Sequence, residues 1–123
     1  MKFFKCSHCG NIIAYAEDKG VPVVCCGEKM QELVPGAVEA ATEKHIPVVR
    51  VDGNKVSVNV GSVDHPMLPE HFIGWIALET QQGNQRKVLT GAPHAEFMLC
   101  DGDKAIAAYE YCNLHGLWKS EVL

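Results

Sequence analysis

The sequence predicts an all-β chain, a small cysteine-knuckle module followed by a β-sandwich or barrel. Three observations carry this. Four of the six cysteines, Cys6, Cys9, Cys25 and Cys26, crowd into the first 26 residues among short strand-like runs and turn residues. The composition changes at Leu33-Val34-Pro35-Gly36, where Pro and Gly punctuate the chain as a linker does. Beyond it, short runs rich in β-branched residues recur between Gly-, Asn-, Asp- and Pro-containing turns, the pattern of a sandwich or barrel.

The N-terminal module reads as β-like stretches over Lys2–Lys5, Ile12–Ala16 and Gly20–Val24. So short a segment buries too little apolar surface to fold alone, so a staple is expected. After the linker, His45–Val51 is rich in β-branched residues. Asp52-Gly53-Asn54 then signals a turn, and Lys55–Val60 alternates Val56, Val58 and Val60 with polar residues, predicting a hairpin. Phe72–Leu78, Lys87–Leu89, Glu96–Leu99 and Ala105–Tyr111 are the further expected strands. Propensity alone would also allow a helix over Ala105–Tyr111.

Bulk properties exclude several classes. The chain has 123 residues, enough for one ordinary domain or two small ones, and a formal net charge of −4 with no block of like charges. Nucleic-acid and anionic-membrane binders show basic stripes instead. No apolar run approaches the roughly 18 residues of a membrane span. Met1-Lys2-Phe3-Phe4-Lys5 has no signal-peptide pattern, so a cytoplasmic location is expected.

In such a location clustered cysteines serve metals more often than disulfides. Cys6-x-x-Cys9 is a knuckle whose two sulfurs reach one ion, and Gly10 lets the backbone curl behind it. Cys25-Cys26 completes four soft thiolates, a tetrahedral set that serves zinc and iron alike. His8, inside the knuckle, is expected to face solvent, since four sulfurs already fill the tetrahedron.

A second donor set lies in three separated stretches, Thr42-Glu43-Lys44-His45-Ile46-Pro47, His65-Pro66-Met67-Leu68-Pro69-Glu70-His71 and Tyr111-Cys112-Asn113-Leu114-His115-Gly116. A lone His is usually an ordinary hydrogen-bonded residue, and Cys112 alone could be a buried hydrophobe. Cys112-x-x-His115 is more specific, because so short a loop brings a thiolate and an imidazole to one ion. Two prolines stiffen the segment from His65 to His71, so little entropy is lost in presenting both rings. Four neutral imidazoles and one thiolate leave one octahedral position open, which suits a catalytic metal. Two alternatives compete. A blue-copper protein would carry a Met soon after its second His, where Gly116-Leu117-Trp118-Lys119 stand, and would idle two histidines. A zinc-stapled interaction module would have no use for five such donors.

Taken together, Cys6-x-x-Cys9 with Cys25-Cys26 resembles the rubredoxin-like iron module of desulforedoxin and desulfoferrodoxin. Glu43-Lys44-His45-Ile46-Pro47, His65-Pro66-Met67 with His71, and Cys112-Asn113-Leu114-His115-Gly116 resemble the catalytic centre of superoxide reductases. The resemblance to the desulfoferrodoxin type of superoxide reductase spans nearly the whole chain. It implies a desulforedoxin-like four-cysteine iron module over residues 1–35 and a catalytic domain over 36–123, the latter an immunoglobulin-like seven-stranded β-barrel or sandwich. It implies iron at both sites. His45, His65, His71 and His115 would be equatorial ligands and Cys112 the axial one. Lys44 would draw in the anion and order the water that delivers a proton, and Glu43 would be the sixth ligand of the ferric state. The implied activity is one-electron reduction of superoxide to hydrogen peroxide without oxygen release, with electrons from a rubredoxin-like donor. A homodimer and an anaerobic or microaerophilic host are implied as well, with no nucleic-acid or membrane partner. Cys100 and His94 match no motif and are expected as a core thiol and a loop residue.

Overall fold

Alternating burial, clearest over Lys55–Val60 and His94–Met98, marks the larger of two compact units. In the computed structural model, which describes residues 1–122, the chain divides into Met1–Val34 and a second unit from Pro35 onward. The second unit contains one helical turn, α1 (Thr42–His45), and seven strands. The N-terminal unit holds five short strands, β1 (Phe3–Lys5), β2 (Ile12–Ala14), β3 (Val24–Cys25), β4 (Glu28–Lys29) and β5 (Gln31–Glu32). The seven strands are β6 (Pro47–Asp52), β7 (Lys55–Val60), β8 (Ile73–Thr80), β9 (Gly83–Val88), β10 (His94–Met98), β11 (Ala105–Cys112) and β12 (Gly116–Glu121).

The seven form two antiparallel sheets, three strands in the order β10-β7-β6 and four in the order β12-β11-β8-β9. This is the expected seven-stranded immunoglobulin-like sandwich. Strand β7 shows how the pattern becomes packing. Val56, Val58 and Val60 point inward and are buried, while Lys55 faces solvent. Opposite them lie Ile73, Ile76 and Leu78 of β8, while Phe97 of β10 stands beside Val56 in the same sheet. Each such side chain contributes about 1.5–3 kcal/mol by leaving water. The β6–β7 connection is the predicted hairpin. Asp52 pairs with Lys55, and Gly53 takes the left-handed φ of +60° that the first central position of a tight turn demands.

Four expectations are corrected. The run His45–Val51 is not all strand. Its first residue closes the helical turn α1, with Ile46 N–H donating to Thr42 O at 2.9 Å, and the strand begins at Pro47 on the edge of its sheet, where a missing N–H costs nothing. Strand β9 begins at Gly83, well before the expected Lys87. Its polar sequence carries no alternation, but the two-residue Gln81-Gln82 connection dictates its pairing with β8. His94 is the first residue of β10 rather than a loop residue, paired with Asn59. Cys100 is exposed rather than in the core, because it follows β10 at the turn where Asp103 N–H donates to Cys100 O. Strand β12 had no expected counterpart.

The N-terminal unit is held differently. Strands β2, β1 and β5 form one small sheet and β3 pairs with β4. Only Phe3, Cys6 and Met30 are buried among its described residues. The expected run Gly20–Val24 contributes a strand residue only at Val24.

Candidate metal centres

In the N-terminal unit the sulfurs of Cys6, Cys9, Cys25 and Cys26 all lie within 4.8 Å of one another. The knuckle closes through Gly10 N–H to Cys6 O at 3.1 Å, and Gly10 takes a φ of +81°. Adjacent strand residues point to opposite faces, so Cys25 and Cys26 converge only because Cys26 leaves the extended region, at a φ of +53°. Backbone amides already serve the sulfurs. Cys9 N–H points to Cys6 Sγ and Asn11 N–H to Cys9 Sγ, both at 3.5 Å. The amides of Cys9 and His8 lower the Cys6 thiol to about 6. Cys25, hydrogen-bonded with Cys6 and Cys9, is pushed up to about 12. Four ionised thiols in so small a volume require a cation, which is the test this donor set passes. His8 is exposed, with Nε2 3.2 Å from Glu28 Oε1, and is not a donor to the cluster.

The second cluster gathers His45, His65, His71, Cys112 and His115, with all ligating atoms again within 4.8 Å. The four rings stand in a square. Centroids of neighbours are 4.7 Å apart for His45–His65, 4.5 Å for His65–His71, 5.1 Å for His71–His115 and 4.9 Å for His45–His115, each pair near perpendicular. Across the square, His45 and His71 are 6.5 Å apart. The sulfur of Cys112, wholly buried at the end of β11, lies 3.5 Å from His65 Nε2 and 3.8 Å from His115 Nδ1.

Backbone carbonyls choose the tautomers. His45 Nδ1 donates to Ala41 O and His65 Nδ1 to Pro66 O, both at 2.7 Å, so each Nε2 offers a lone pair to the cluster. His71 Nε2 is buried with no hydrogen-bond partner among the described residues, the signature of a donor reserved for a metal. Burial first, then the neighbouring imidazoles, lowers His45 and brings His65 down to about 4. His71 is lowered by burial, then by His115, with Lys44 adding to the effect. These three rings are therefore neutral at pH 7 and ready to ligate. Burial raises Cys112, against the amides of Leu114 and His115, so its thiolate also requires a cation.

Two residues that sequence reasoning did not single out hold this square, and a third is buried close in sequence to Cys112. Asn113 clamps the His71 loop, with its Oδ1 accepting from Phe72 N–H at 2.8 Å and its Nδ2 donating to Glu70 O at 3.0 Å. Trp118 lies over His45 with centroids 5.0 Å apart and donates from Nε1 to His115 O at 3.1 Å. Glu110 is fully buried two residues before Cys112, and neither carboxylate oxygen has a partner among the described residues. Burial pushes it up to about 9, so it carries its proton. A Glu amid the strand pattern Ala105–Cys112 was the one available signal. Glu43 and Lys44 are both exposed on α1 beside His45.

The desulfoferrodoxin N-terminal domain profile matches residues 1–33, and the desulfoferrodoxin profile matches residues 37–121. The chain belongs to the desulfoferrodoxin family. Among family members, the desulfoferrodoxin of Nitratidesulfovibrio vulgaris is 45% identical over 122 residues, covering 98% of this chain and 95% of that one. The desulfoferrodoxin of Syntrophotalea carbinolica is 42% identical, covering 98% and 96%. The crystal structure of the superoxide reductase from Treponema pallidum is similar over 98% of both chains, at 44% identity and a TM-score of 0.83. The four-cysteine and four-histidine–one-cysteine sets fit the two iron centres of a desulfoferrodoxin. Among the described residues no helix is long and apolar enough to cross a membrane.

Proposed function

We propose that this chain is a superoxide reductase, converting superoxide, one electron and two protons into hydrogen peroxide without releasing oxygen. The carrying observation is the square of four imidazoles with a buried thiol sulfur close to two of them. Relatives bearing the name superoxide reductase support the same activity. His45, His65, His71, His115 and Cys112 would hold the catalytic iron, and Cys6, Cys9, Cys25 and Cys26 the other. When bound, the catalytic iron supplies the electron and a coordination position for a small anion.

The protein's own part is placement and charge. The net charge of −4 repels an anion at long range, so attraction is local. Lys44 supplies it. Its charge already reaches His71, on the square's exposed side. Water held by the Lys44 ammonium is the proton source for the departing peroxide. Glu43, whose charge reaches His45, is the carboxylate that would close the open position in the ferric state. Residues 1–35 serve as the four-cysteine module and 36–123 as the catalytic domain. A rubredoxin-like protein returns the electron, and the chain works as a homodimer in the cytoplasm.

The test is direct. Protein purified without added metal should contain two irons per chain and form peroxide from superoxide with no oxygen evolved. Copper alone, zinc alone, or evolved oxygen sinks the proposal. Lys44→Ala should keep both irons and slow turnover about a hundredfold or more, the usual share of a positioned proton donor. Unchanged pulse-radiolysis rates would remove Lys44 from the mechanism.

A further inference from the structure

Helix α1 carries Glu43, Lys44 and His45, yet it is one turn long. A single turn does not hold itself in water. Ala41 offers no side-chain cap, and the turn's own bonds include Lys44 N–H to Ala41 O, Ile46 N–H to Thr42 O and His45 Nδ1 to Ala41 O. Further support comes from the connection after β7. The carbonyl of Glu43 accepts from Val63 N–H at 2.9 Å and from the Ser62 hydroxyl at 3.3 Å. Between these donors and β7 lies Gly61, which is buried. A Cβ on Gly61 would stand 2.6 Å from Glu43 O and 3.1 Å from both Glu43 C and Ile46 O. All three obstacles are backbone atoms, which cannot swing aside as a flexible side chain does. The connection is itself braced. Asn59 Nδ2 donates to Gly61 O at 2.7 Å and to Asp64 Oδ1 at 2.9 Å, and His65 N–H donates to Val60 O at 2.8 Å.

We infer that Gly61 and the Ser62–Val63 donors are positioning elements for the Glu43–Lys44 dipeptide, setting where its carboxylate and ammonium stand relative to the imidazole square. This rests on the proposed roles of Glu43 and Lys44. The absent Cβ lets the Glu43 carbonyl seat against the turn, and the two donors lock it there. The same connection runs on into His65. One segment therefore presents a ring of the square and registers the acid–base pair beside it.

The iron-loaded protein tests this through two readouts that do not use turnover. The first is the ferric thiolate absorption band. Glu43→Ala defines the shift caused by losing the carboxylate. Gly61→Ala should shift the band the same way and by nearly as much, with iron content retained. Combining both changes should add no further shift, since residues acting through one contact are non-additive. Ser62→Ala should give a smaller shift in that direction. The second readout is hydrogen exchange in the peptide spanning residues 42–46, which should quicken in Gly61→Ala while β8 and β11 stay protected. If Glu43→Ala leaves the band unmoved, the ligand role of Glu43 fails, and exchange alone then decides the positioning role. A Gly61→Ala protein with the parental band and parental exchange overturns the inference. Should Gly61→Ala not fold, Ser62→Ala decides, and parental values there overturn it equally.

Discussion

The two metal-ligand clusters sit in units that relate fold to metal in opposite ways. In Met1–Val34 only three residues are buried, one of them the ligand Cys6, so the ligands are a large part of what little interior there is. In the sandwich the interior is built from Val56, Val58, Ile73, Ile76, Leu78 and Phe97, none of which ligates. So small an interior implies that the first unit depends on its ion to stay folded. The second is folded by its hydrophobic core, and the core then holds five donors in place. The same element type, a cysteine at the end of a strand, is thus a staple in one unit and a mounted ligand in the other.

Stripping both metals should therefore break the molecule unevenly. With a strong chelator, residues 1–34 should lose amide protection while β7, β8 and β11 keep theirs, a metal-linked difference on the order of 10 kcal/mol. Hydrogen exchange resolved by peptide checks this, and equal loss in both units would erase the distinction.

A smaller effect is set by Glu110. Its folded value of about 9 lies above its ordinary 4.5, so the fold holds a proton that the unfolded chain releases between those values. Stability from this group is full below pH 4.5 and declines as pH rises toward 9. The loss at pH 7 is about 3 kcal/mol, following from roughly 1.4 kcal/mol per unit. Urea midpoints of the parent should fall from pH 5 to pH 8, and Glu110→Gln should flatten that slope. A parallel slope in both proteins would refute the buried neutral acid.

The smallest expected change is at Asn113. Replacing it with Ala removes two hydrogen bonds to the His71 loop, at about 1 kcal/mol each. The core should stay intact, and iron should leave the histidine site more readily than the cysteine site. Metal-release kinetics followed at both absorption bands would show it.

What was legible in the sequence was whatever a local pattern or a chemically distinctive side chain announces. The valine alternation of β7 and the turn at Gly53 are local. The cysteines and histidines carry chemistry that few other residues offer, so their spacing pointed to both clusters. The remainder depends on contacts between distant segments. Gly61 matters because of Glu43, and Asn113 because of the backbone of Phe72, and neither dependence leaves a mark in its own neighbourhood. Strand β9 is polar because it lies at an edge, so no alternation marked it. The α1 turn was hidden by the β-branched residues that follow it.

The exposed thiol of Cys100 has a practical consequence. It stands outside both clusters, which together claim five of the six cysteines. A thiol-reactive dye should therefore label fully loaded protein once and the denatured, chelated chain six times. Intermediate stoichiometries would report how many ligand sulfurs have been released, so a colorimetric titration becomes a count of metal occupancy.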